Sequence, residues 1–146
     1  MGWKEWIDLV VKVLAGFGGL GFLIAALSYK SQIRIKQAEW LKSLYEKFFE
    51  SLIYKEARVW LDYGHLHGKL NVEDVAVREA NEEKFTDFLN FFEFIAVLHF
   101  SGHLTFKQVD EVFGYYLKKI KSDEDCRDWI QKYSFEKLKG LLEKIK

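Results

Sequence analysis

The sequence predicts an all-α protein: a single N-terminal transmembrane helix that continues into a four- to five-helix cytosolic bundle. Three observations lead there. Residues Val13 to Tyr29 carry no charge. Beyond them, apolar side chains recur at three- and four-residue steps rather than in alternation. Proline is absent from all 146 residues, so long helices meet few forced interruptions.

The first element is the apolar run. Only Lys12 interrupts it between Leu9 and Tyr29, a stretch of about 21 residues, close to the ~20 that a helix needs to cross ~30 Å of hydrocarbon. Trp3, Trp6 and Tyr29 flank it, where amphipathic rings favour a membrane–water boundary. The start, "MGWKEWID", is not net basic, which disfavours a cleaved signal peptide. Gly16, Gly18, Gly19 and Gly21 would each weaken a helix in water by up to ~1 kcal/mol. In a membrane, Ala15 with Gly19 and Gly21 with Ala25 form small-xxx-small pairs that let helix backbones approach. The basic residues Lys30, Arg34 and Lys36 follow, and that bias puts the C-terminal side in the cytoplasm. The expected organisation is a span with its flank in residues 1–30 and a helical cytosolic domain in residues 31–146. The expected location is the inner membrane, with the lipid bilayer and further copies of the chain as partners.

The later elements follow by pattern. Leu41, Leu44, Tyr45, Phe48, Leu52 and Ile53 share helical spacing, which carries the first cytosolic helix to about Tyr63. "YGHLHGKLN" breaks it. Residues Val75 to Phe100 form the next helix, and its second half, "FTDFLNFFEFIAVLHF", is apolar nearly all round, which places it centrally. Thr105 and Gln108 make a capping box for a helix whose apolar face is Val109, Val112, Phe113, Tyr116, Leu117 and Ile120. After "KSDED", a last helical segment carries Trp129, Ile130, Leu138, Leu141, Leu142 and Ile145, with a kink expected at Ser134.

Composition narrows the function. Net formal charge is zero, which argues against a general nucleic-acid binder. Cys126 is the sole cysteine, so no disulfide forms within the chain. The only glycine-rich run lies in the apolar stretch, so no phosphate-cradling loop is expected. Glu93, bracketed by Phe92 and Phe94, demands a partner because an unpaired buried carboxylate costs several kcal/mol. Arg58 is the expected partner, in a structural ion pair. His65 and His67 supply two metal ligands where a closed site needs four, so neither metal nor cofactor is expected.

Two resemblances follow from these residues. "LKSLYEKFFES", "YKEARVWL" and "FLNFFEFIAVLHFSGHLTFKQVDEVFGYYL" resemble a widespread prokaryotic family with one N-terminal span and a helical cytosolic domain of unassigned activity. That resemblance implies that Arg58 and Glu93 belong to a recurring structural core. Arg58 and His65 enclose six residues, a spacing similar to the Arg-x(4–6)-His motif of HEPN ribonucleases, although Val59 stands where that family usually carries a polar residue. A span followed by such a domain also resembles the HEPN-like membrane accessory protein of type VI CRISPR systems, which implies an oligomeric pore in antiviral defence. The expected function is therefore non-catalytic: a self-associating membrane protein whose cytosolic helices take a protein partner. The alternatives are a tethered ribonuclease, with Arg58 and His65 catalytic and RNA as substrate, or a scaffold subunit of a larger membrane complex.

Overall fold

Among the described residues, Leu44 and Phe48 are the first side chains to be buried in a core, and the fold is organised from there. The computed structural model describes residues 2–146, except for the side chains of residues 9–23. Seven helices lie among the described residues: α1 (Trp3–Phe49), α2 (Lys55–Asp62), α3 (Leu66–Leu70), α4 (Val75–Phe100), α5 (Phe106–Ser122), α6 (Glu124–Lys132) and α7 (Glu136–Lys144). The chain divides into two compact units, Met1–Trp40 and Leu41–Lys146. The boundary falls later than the residue 30 expected from charge, because Leu41 is the first side chain packed against the core.

The expectation of a transmembrane helix is overturned, and with it the single-pass inner-membrane location. Among the described residues no helix is long and apolar enough to cross a membrane. The physical reason is length: the described apolar run from Ile24 to Tyr29 is six residues before Lys30, far short of the ~20 that a crossing needs. Of the positions expected to pack a span, Ala15, Gly19 and Gly21 lie outside the described side chains, and Ala25 is exposed.

The second unit is built around aromatic rings. Phe48 is fully buried, its ring centroid 5.1 Å from Phe91, 5.3 Å from Phe92, 5.6 Å from Phe113 and 5.2 Å from Tyr116. The contacts with Phe92, Phe113 and Tyr116 are edge-on, the arrangement that ring quadrupoles favour. Helix α4 is central, as its all-round apolar sequence predicts, and packs against α2, α3, α5 and above all α7. Polar ties fix its neighbours. Asn81, buried on α4, donates to the Lys69 carbonyl on α3 at 2.8 Å, and Lys84 pairs with Glu56 of α2 at 2.8 Å. The expected capping box forms, with Thr105 accepting from the Gln108 N–H and Gln108 accepting from that of Thr105.

Two expectations about helix ends change. The helix expected to run to about Tyr63 does not reach it: α1 stops at Phe49 and α2 starts at Lys55. The Ser51 hydroxyl accepts from the Ile53 N–H, a local alternative to helical bonding, and Leu52 and Ile53 are left 76% and 58% exposed. The expected kink at Ser134 is a full break between α6 and α7, where Ser134 takes a left-handed φ of 55°.

Candidate functional site

Helix α2 carries the polar chemistry that the sequence singled out. Arg58 and Asp62 stand one turn apart on it, and each reaches a different element. The Arg58 Nη2 donates to the Phe49 carbonyl at 3.1 Å, one of the carbonyls that the end of α1 leaves without an intrahelical donor. The guanidinium carbon sits 5.3 Å from the Phe48 ring centroid and 5.4 Å from that of Phe49, an arrangement attractive to a cation. Its Nε is buried with no hydrogen-bond partner. This arginine closes the end of α1 and lies on two rings.

The expected ion pair between Arg58 and Glu93 is not formed. Glu93 accepts from the backbone N–H of Lys137 at 3.1 Å through Oε1 and from that of Leu138 at 2.6 Å through Oε2. Helix α7 needs this because Phe135, at its N-cap, has no side-chain oxygen to offer. The carboxylate found two N–H donors at a helix N-terminus, where negative charge is favoured. The sequence argument took Glu93 for a buried carboxylate and Arg58 for its partner; Glu93 is only partly buried, Phe94 beside it is 52% exposed, and its partners are backbone N–H groups.

Asp62 accepts hydrogen bonds from the hydroxyls of Tyr115 and Tyr116, each at 3.0 Å. Burial pushes the Tyr116 phenol up to about 12, helped by the hydrogen bond to Asp62. For Tyr115 the bond to Asp62 is the leading cause of an upward shift. Sequence reading missed this trio, although the adjacent tyrosines on α5 and the carboxylate one turn beyond Arg58 were its available signal.

His65 is exposed at the N-cap of α3 and its ring stacks on Tyr63, centroids 6.1 Å apart. The structure thus gives Arg58 and His65 separate surroundings, an aromatic bed for one and solvent for the other. His67 bonds Asp125 through Nδ1 at 3.0 Å, and that bond, together with the charge of Asp125, raises its pKa. His99 bonds the Leu104 carbonyl through Nδ1 at 3.1 Å and lies 3.0 Å from Lys144 Nζ through Nε2. With lysine a donor only, the ring accepts at Nε2 and donates at Nδ1. Cys126 is buried, and burial pushes its thiol far up, so it is no nucleophile. Among the described residues no group of three or more His, Cys, Asp or Glu is gathered to hold a metal.

The described part of the first unit presents a different surface. At 100° per residue, Ile24, Leu27, Ser28, Ser31, Ile35 and Ala38 fall on one face of α1. Ile24 is 63% exposed, Leu27 69% and Ile35 55%. No family model, no curated protein and no solved structure matches this chain.

Proposed function

We propose that this chain is a non-catalytic helical protein that works by associating with a second copy of itself through α1. One observation carries the reading: the row Ile24, Leu27 and Ile35 lies on one helix face and is more than half exposed throughout. An amphipathic helix is held by the burial of its apolar face, and here that face is uncovered. Covering an aliphatic side chain fully is worth about 1.5–3 kcal/mol. Six such side chains across a pair are of the size needed to offset the roughly 4–15 kcal/mol of association entropy. Ser28 and Ser31 lie between them and Ala38 just beyond, small enough for two helices to approach closely.

The state of Arg58 supports a structural rather than catalytic role for the Arg–His pair. A guanidinium committed to a helix-end carbonyl and two aromatic faces has little freedom to clamp a phosphate. The test is the mass of the full chain by light scattering, with Leu27→Glu/Ile35→Glu beside it. The expected result is a discrete oligomer that the double substitution disperses with its circular dichroism intact. A monomer in both samples sinks the proposal.

A further inference from the structure

A cleft of about 480 Å³ opens where the end of α5 meets α6 and α7, and Arg58, Asp62, His65 and Glu93 take no part in its lining. Ile130 and Leu142, both buried, contribute its apolar lining, and Lys121, Arg127, Lys139 and Glu143 supply its charge. Three cations thus face one carboxylate. Two of the cations are positioned by the fold. Lys121 Nζ donates to the Ile145 carbonyl at 2.6 Å. Arg127 Nη1 donates to the carbonyls of Lys121 and Ser122 at 3.2 and 3.0 Å, closing the end of α5. Arg127 Nε and Nη2 make no hydrogen bond among the described residues, and Lys139 and Glu143, one turn apart on α7, form no ion pair there.

We infer that this cleft binds a small amphiphilic anion: a carboxylate-headed molecule whose aliphatic tail lies on Ile130 and Leu142. The size lies within the ~300–1,000 Å³ usual for small-molecule sites, which combine an apolar lining with a few placed polar groups. The excess of positive charge selects the head. Arg127, held on one side by two carbonyls, presents its remaining N–H groups as donors suited to a carboxylate. Lys139 adds an exposed charge that forms no ion pair among the described residues. Glu143 opposes binding and disfavours heads carrying more than one negative charge.

The experiment uses the full chain and decanoate, followed by backbone amide shifts, with decanol as the uncharged control. Decanoate is expected to shift the amides of Ile130 and Leu142 saturably, and decanol to bind at least about tenfold more weakly, since charge complementarity sets the preference. Lys139→Glu should weaken decanoate by about tenfold or more and Glu143→Gln should tighten it, while Lys118→Glu, an exposed charge outside the cleft, leaves it unchanged. Lys139 is exposed and unpaired, so its variant keeps the fold, as circular dichroism verifies. Equal binding of decanol, an equal loss in Lys118→Glu, or no saturable shift up to the solubility limit of decanoate would each overturn the inference.

Discussion

Tyr116 shows how far a single side chain's behaviour depends on what surrounds it. On an exposed residue its hydroxyl would ionise near 10.0; here burial first, and the bond to Asp62 second, push it to about 12. A phenol whose folded-state value is raised contributes stability that is complete below pH 10.0 and disappears as pH climbs through about 12. Between those limits the unfolded chain has released a proton that the folded one retains, so unfolding becomes easier with each step up. The expected outcome is a denaturation midpoint that falls across that window, with tyrosinate absorbance appearing late for Tyr116. Asp62→Asn should bring that absorbance to lower pH, since it removes both the hydrogen bond to an anion and the anion's charge. An unchanged titration in Asp62→Asn would mean the pair does not exist in solution. The adjacent tyrosines and the carboxylate could be seen in the sequence, but not their pairing, because Asp62 and Tyr116 are 54 positions apart and neither breaks a pattern.

The helices of the second unit are closed at their ends by side chains both local and from other elements, and here sequence reading divides cleanly. The Thr105–Gln108 capping box is local, three residues apart, and could be read directly. Asp74, whose carboxylate accepts from the N–H groups of Ala76 and Val77, starts α4 by the same local logic. The cap on α7 from Glu93 depends on the approach of a residue 44 and 45 positions away, and those on α1 from Arg58 and on α5 from Arg127 depend on the chain turning back after a helix ends. The break after Phe49 was missed for a related reason. Leu52 and Ile53 keep the apolar period while their side chains stand in solvent, so periodicity alone carried the helix through them. Glu93→Ala removes both carboxylate bonds to α7 and is expected to cost about 1–3 kcal/mol, the range for leaving part-buried donors without partners. Glu93→Gln retains one acceptor oxygen and should recover part of that loss. A denaturant midpoint unmoved by Glu93→Ala would remove the cap from the account of how α7 is held on α4.

At the scale of the whole molecule, the two units obey different rules. Every buried apolar side chain among the described residues lies between Leu44 and Ile145, and the central place of α4 there was readable from its unbroken apolar circumference. For the stretch from Leu9 to Tyr29, sequence reasoning rested on a count of apolar residues, whereas among the described residues no helix is long and apolar enough to cross a membrane. The second unit holds a continuous aromatic core, whereas the described face of the first has three aliphatic side chains open to water. A chain beginning at Leu41 is therefore expected to fold, to show the same denaturant midpoint as the second unit in the full chain, and to sediment as a monomer. The full chain is expected to sediment as an oligomer under the same conditions. A fragment that fails to fold would show that the core from Leu44 onward is not sufficient by itself. A fragment that folds and assembles as the full chain does would move the interface off α1 and onto the helices around Phe48, leaving Ile24, Leu27 and Ile35 for another partner to cover.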